Sequence, residues 1–201
     1  MPEADRVTFE PLESRLLLTT NWSGDIPNGT VWHAGDVNFL LANVRVPAGS
    51  TLTVEPGAVI KGKWFTAPAI LVEGTLLAQG TAGSPIIFTS ELDDTAGGDT
   101  NGDGNASVPG PGTWARIDFK STSTGSILDH VQVRYAGYGS TGAVVVSGGQ
   151  LTLTNSLISK SSVAGLCGLS AATPPSRITP SRTTPAPPSA WTWRRTRPLR
   201  A

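Results

Sequence analysis

Residues 52–62 read LTVEPGAVIKG, and residues 151–161 read LTLTNSLISKS. Each places two alternating aliphatics, then a turn-forming residue, then a second aliphatic pair, and ILVEGTLLAQG (70–80) has the same shape. Alternation over roughly four to eight residues is the period of a strand with one buried face, and Pro-Gly or Asn between two such runs marks a tight corner. From about Val31 to Leu166 the chain repeats this pattern: VNFLLANVRV (37–46), PIIFTS (85–90), WARIDF (114–119), SILDHVQVRY (126–135) and GAVVVSG (142–148), with Pro47-Ala48-Gly49 and Pro56-Gly57 as turn signals. No stretch sustains an apolar period of about 3.6 residues, so almost no helix is expected.

The repetition has a measurable step. Leu128, His130 and Val133 correspond to Leu153, Asn155 and Ile158 at a spacing of 25 residues. A period of roughly 20–50 residues signals a solenoid or array. Short strands joined by corners leave no room for crossover helices, which favours an all-β solenoid of stacked parallel strands over an α/β sheet. Asn155, and His130 at the equivalent place, then suit a corner, because Asn and His tolerate the left-handed conformation better than most residues. Trp22, Trp32, Trp64 and Trp114 are expected to cap or flank the solenoid, with a sugar-binding platform as the alternative.

STLTVEPGAVIKGK (50–63), LVEGTLLAQGTAGSPIIFTS (71–90), PGTWARIDF (111–119) and LDHVQVRYAG (128–137) resemble the opening coils of right-handed parallel β-helix repeat proteins. The likeness covers roughly residues 30–166. It implies a short right-handed parallel β-helix of about five or six coils, placed at residues 21–168, and says little of activity because this architecture serves many. A second resemblance lies in residues 1–20. FEPLESRLLL (9–18) resembles the LEPR-XLL motif that opens many large surface or secreted proteins of planctomycete-type bacteria, with Phe9 standing where Leu is usual. That resemblance implies a targeting segment and an extracellular or cell-surface location.

Composition narrows the function classes. Of 201 residues 15% are charged, 23 are Gly, and the formal net charge is zero. The balance hides an asymmetry: residues 1–168 hold all 15 acids and 9 of the 15 bases, and residues 169–201 hold six Arg and no acid. An acidic body argues against nucleic-acid binding through a basic surface. No apolar run approaches a membrane span. The single Cys167 excludes an intramolecular disulfide framework and a cysteine-rich zinc site.

Few residues point to chemistry. In ELDDTAGGDTNGDGNASVPGPG (91–112), a long insertion without strand pattern, Asp99, Asn101, Asp103 and Gly104 fit positions 1, 3, 5 and 6 of a calcium loop of the EF-hand type, and Ser107 fits position 9. Gly110 stands where the bidentate acid belongs, so Asp99, Asn101 and Asp103 are weak metal candidates and a solvated acidic loop is the expectation. Asp129 and His130, with Arg134 and Tyr135 near, carry acid–base groups, but neighbours along a strand point to opposite faces and are not expected to share a cleft. No G-x-S-x-G elbow, arranged base for Cys167 or phosphate-binding loop occurs. No catalytic residue and no cofactor is assigned. The expected role is a non-catalytic β-helix module of an exported cell-surface protein, a scaffold, adhesion or carbohydrate-contact element, with a polysaccharide or cell-surface partner. The alternative is the N-terminal fragment of a β-helix polysaccharide lyase or glycoside hydrolase.

After Cys167 the pattern stops. Residues 169–201 hold seven Pro, six Arg and no acid, a composition that does not extend a packed coil and reads as disordered. A shifted reading frame explains the break. Codons formed from the third base of one tail codon and the first two of the next turn TCN-type Ser into Val, Ile, Leu or Phe, and Ile into Asn, Asp, His or Tyr. Ser176, Ser181 and Ser189 would then become aliphatic and Ile178 could become Asn or Asp, each 23 residues after Leu153, Ile158, Leu166 and Asn155. The solenoid is therefore expected to be truncated here, with an exposed terminal coil prone to edge pairing. The gene sequence checks this: TCN codons at 176 and 181 and an open shifted frame are expected, whereas AGY codons or an early stop in that frame would refute it.

Overall fold

The computed structural model describes residues 19–163 and 165–168. The segment resembling LEPR-XLL and the tail beyond Gly168, with Ser176, Ile178, Ser181 and Ser189, lie outside the described residues. Fifteen strands and no helix are formed among them, and every pairing of named strands is parallel. The fold is a parallel β-helix.

The coil has three faces. The first carries β5 (Val59–Gly62), β8 (Ile86–Ser90), β11 (Val131–Arg134) and β14 (Leu157–Ser159). The second carries β6 (Ala69–Val72), β9 (Arg116–Lys120), β12 (Val144–Ser147) and β15 (Leu166–Cys167), and the third β2 (Thr30–Trp32), β4 (Thr51–Val54), β7 (Thr75–Gln79), β10 (Ser126–Asp129) and β13 (Leu151–Thr154). β3 (Val37–Val46) serves two faces: Val37–Leu40 pair with β5 and Val44–Val46 with β6. β1 (Thr19–Asp25) lies along β3 in the same way, so the first coil already includes Thr19 and Thr20. Counting that one, five complete coils (β1–β2, β3–β4, β5–β7, β8–β10 and β11–β13) run in sequence and a sixth contributes β14 and β15, in line with the expected five or six.

Register explains the core. On the third face Trp32, Val54, Ala78, Leu128 and Leu153 stack in one inward column. On the second face Val44, Ile70, Ile117, Val144 and Leu166 do the same, and on the first Ile60, Phe88, Val133 and Ile158. Most of these side chains are wholly buried. Small residues make room for large ones: a Cβ on Gly62 would lie 2.7 Å from Cβ of Trp114, which is buried beside it. Trp22 and Trp32 fill the first coil, ring centroids 5.8 Å apart, and Trp22 Nε1 donates to Asn38 Oδ1 at 2.8 Å. These two cap the solenoid, as expected; Trp114, buried in the core midway along the stack, and Trp64 depart from that expectation.

The 25-residue step holds residue by residue, Leu128 facing Leu153 and Val133 facing Ile158. His130 and Asn155 both occupy the left-handed region, φ 48° and 47°, at the corner between the third and first faces. One likeness was out of phase. LTVEPGAVIKG and LTLTNSLISKS both cross that corner, but ILVEGTLLAQG crosses the corner between the second and third faces, and Leu76, not an earlier residue, faces Leu52. Every face needs inward aliphatics at period two, so any corner with its two strands looks like any other.

Truncating Ile117, buried at the middle of its column, to Ala should cost about 2–5 kcal/mol in urea unfolding. Asn155→Ala should cost about 1–2 kcal/mol, because Ala lacks the polar side chain that eases Asn into the left-handed region and bonds Asp129, and Asn155→Gly less.

Candidate functional site

The candidate site is built on the joints between the first and second faces. In coil order these are residues 63–68, 91–115, 135–143 and 160–165, and the second is the long insertion. Its root is fixed from below. Alternation along β5 turns Ile60 into the core and Lys61 outward, yet Lys61 is 0% exposed because the insertion folds over it. Lys61 Nζ donates to Gly98 O at 2.5 Å and Thr100 Oγ1 at 3.2 Å. Burial holds this amine below the usual lysine range, opposed by the charges of Asp94, Asp93, Asp99 and Glu91. Asp93, also buried, accepts from Thr89 Oγ1 at 2.7 Å and Thr95 Oγ1 at 2.5 Å, with Arg134 Nη1 3.4 Å away. Burial would raise its carboxyl, but hydrogen bonds from Thr95 and Thr89 and the Arg134 charge outweigh that and hold it below the usual range.

The structure brings Asp99 and Asp103 together and adds Asp94, which the sequence pattern did not single out; one carboxylate oxygen from each lies within 4.8 Å of the others. Two of the three carboxylates, those of Asp99 and Asp103, are already engaged. Asp99 accepts from the backbone N–H of Gly104 at 2.8 Å, Gly102 at 2.7 Å and Asp103 at 3.3 Å, led by Gly104 in holding its carboxyl low. Asp103 accepts from Ala106 N, Ser107 N and Asn101 Nδ2, and Asn101 turns its amide nitrogen, not its oxygen, toward the cluster's acid. Asp94 Oδ1 and Asn101 Oδ1 are buried without partners. Calcium takes about six to eight oxygens, and the ammonium of Lys61 already supplies positive charge beneath these acids. The residues fit a self-capped acidic loop better than a calcium site.

Above the loop's root the chain exposes aromatic surface. Trp64 is 44% and Phe65 83% exposed, with ring centroids 4.7 Å apart and planes tilted by 31°. Their loop is held firmly: Trp64 N donates to Glu91 Oε1 at 2.7 Å, Thr66 Oγ1 to Leu41 O at 2.7 Å, and Ala67 N to Lys63 O at 3.0 Å. A cleft of about 480 Å³ lies between this pair and the acidic loop, over Phe39 and Leu92, with Lys63, Glu91, Asn101 and Asp103 at its sides. The other large exposed apolar residues follow the same edge. Val108, Tyr138 and Val163 sit in the three later joints, and only Val31 lies elsewhere among the described residues.

The other sequence candidates are structural. Asp129 and His130 do approach each other, His130 Nδ1 lying 3.2 Å from Asp129 Oδ2, which corrects the expectation that they point apart. Alternation fails because His130 is the left-handed corner and not a strand residue. Asp129 also accepts from Thr154 Oγ1 at 2.7 Å and Asn155 Nδ2 at 2.9 Å, so it ties one corner to the next. Arg134 reaches Gln132 and Asp93 instead. Tyr135 and Lys160 form a second left-handed pair 25 residues apart, Lys160 Nζ donating to the Tyr135 hydroxyl at 2.6 Å. On the second face Asp118, 2% exposed, is held by Lys120 Nζ and Ser147 Oγ at 2.8 Å each and by Arg116 Nε at 3.3 Å. Burial would raise its carboxyl; the hydrogen bonds from Lys120 and Ser147 and the charge of Lys120 hold it low.

Three parallel faces, tight left-handed corners and a loop-bearing edge define a β-solenoid module. Residues 24–148 match the pectate-lyase-like β-helix domain, and the chain belongs to that family. No curated protein and no solved structure matches the chain. No helix of the described residues is long and apolar enough to cross a membrane.

Two outcomes follow from these charges. Calorimetric titration should give a calcium dissociation constant weaker than about 10 µM, outside the range of sensor loops. Because the Asp118 carboxyl lies below its unfolded value, its contribution is present above that value, near pH 4, and fades as pH falls through the still lower folded one. Asp118→Asn should therefore lower stability at pH 7 and flatten the acid limb of the unfolding curve.

Proposed function

We propose that the chain is a non-catalytic β-helix module of an exported cell-surface protein, and that it contacts polysaccharide along the edge between its first and second faces. One observation carries the reading: among the described residues the large exposed apolar side chains, Val31 apart, are confined to the joints along that edge. Clustered exposed apolar surface marks interaction sites, and the solenoid sets successive joints about 4.8 Å apart, which suits an extended polymer. Export rests on the resemblance of residues 9–18 to the LEPR-XLL motif.

A second reading, part of a polysaccharide lyase or glycoside hydrolase, draws support from the family and from Arg116, Asp118 and Lys120 in an outward cleft on the second face. The row through Asp118 runs Asp25, Arg45, Leu71, Asp118, Val145 and Cys167, so its strand neighbours are aliphatic. Glycoside hydrolysis needs two carboxylates about 5–10 Å apart, and Asp118 is bound to its own cations. The full chain should give no new reducing ends or unsaturated products from pectin, alginate or neutral glycans. Turnover that disappears in Asp118→Asn or His130→Ala would establish the enzyme reading instead.

A further inference from the structure

We infer that the cleft beside Trp64 and Phe65 selects uncharged glycans and rejects polyuronates. This rests on the polysaccharide-contact reading and adds to it the class of polymer.

The platform is rigid before any ligand arrives. Trp64 is tied through its backbone to Glu91, and the Lys63–Ala67 turn is closed by its own hydrogen bonds. Holding Trp64 half and Phe65 mostly in water forgoes burial worth about 25 cal/mol per Å², and a preordered platform spares the ordering cost on binding. A pyranose ring has an apolar face of C–H groups and a rim of hydroxyls. The first suits the aromatic pair, and the second suits the polar groups of Lys63, Glu91, Asn101 and Asp103 opposite.

Charge decides among sugars. Glu91 and Asp103 line the cleft, and Asp94 and Asp99 stand behind Asp103 in the same loop. Against them the cleft offers one ammonium, that of Lys63. Lys61 adds nothing at the surface, since it is fully buried and its ammonium donates to Gly98 and Thr100. A uronate bound here would bring its carboxylate among like charges closer than the screening length of about 8 Å at physiological salt, with no Arg fork among the lining residues to receive it. Hydroxyl groups meet no such penalty.

Affinity electrophoresis of the full 201-residue chain tests this, with galactomannan or mixed-linkage β-glucan in one set of gels and polygalacturonate or alginate in another, at low and high salt. A neutral polymer should retard the protein equally at both salts, and Trp64→Ala should weaken that retardation about tenfold, the scale of a lost aromatic anchor. Phe65→Ala should weaken it less, and both variants should keep the wild-type far-UV circular dichroism spectrum. Polyuronates should give no retardation. Tighter binding to polyuronate than to neutral polymer, lost in Trp64→Ala, would overturn the selectivity while leaving polysaccharide contact intact. Neutral binding indifferent to both substitutions would overturn the cleft as the site. No retardation by any of the four polymers would overturn the polysaccharide reading itself.

Discussion

Each strand of this molecule finds its hydrogen-bonding partners one coil away, in parallel, and nearly everything else follows from that pairing. A parallel ladder keeps the same residue position above itself at every turn. An inward aliphatic at Val44 therefore commits Ile70, Ile117, Val144 and Leu166 to be aliphatic as well. The corners are bound by the same demand, since a chain that must return to its own column has to bend at the same point each time. His130 and Asn155 take the left-handed conformation for that reason, as do Tyr135 and Lys160 at the next corner. Only where the chain leaves the faces is length free. The joint 91–115 spans far more chain than 63–68, yet Ile87 still pairs with Val59 before it and Ile117 with Ile70 after it.

Much of this was legible because it is periodic. Alternation gave the strands, Pro-Gly and Asn the corners, and the 25-residue step the stacking of the later coils. Phase was harder to read: ILVEGTLLAQG sits on a different corner from the phrases it resembles, since a period of two carries no label for which face is meant. β1, TTNWSGD, escaped because it buries little beyond Trp22 and reads as polar. At the candidate site, Asp99, Asn101 and Asp103 were visible as a local cluster. Asp94 and Lys61 were not, because they join it only when the loop folds back over β5. A lysine alternating with Ile60 looks like solvent-facing surface, and nothing nearby in sequence announces the lid. Trp64 looked like its fellow tryptophans, and only its position on a joint sets it apart.

The electrostatics of the body are largely internal. Arg45 grips both oxygens of Asp25 and reaches Glu73; Asp118 is held by Lys120 and Arg116; Asp93 meets Arg134. These pairs bind neighbouring coils or neighbouring strand positions to one another and leave little charge free for chemistry on the flat faces. What remains available to a ligand is gathered on the joints. A β-helix can thus keep its faces for cohesion and vary its joints for recognition, which is consistent with an architecture that serves many activities.

The long joint also separates continuity of the chain from continuity of the fold. Val108 is 81% exposed and pairs with no strand, while Lys61, Asp93 and Asp99 anchor the loop upstream of it and Thr113 and Trp114 anchor it downstream. A single peptide cleavage at Val108 would break no rung of any ladder. The two pieces, one holding three coils and β8 and the other beginning inside the fourth, would remain clasped through β6–β9, β7–β10 and β8–β11. A highly accessible bond in this loop is thus one whose loss leaves the structure standing.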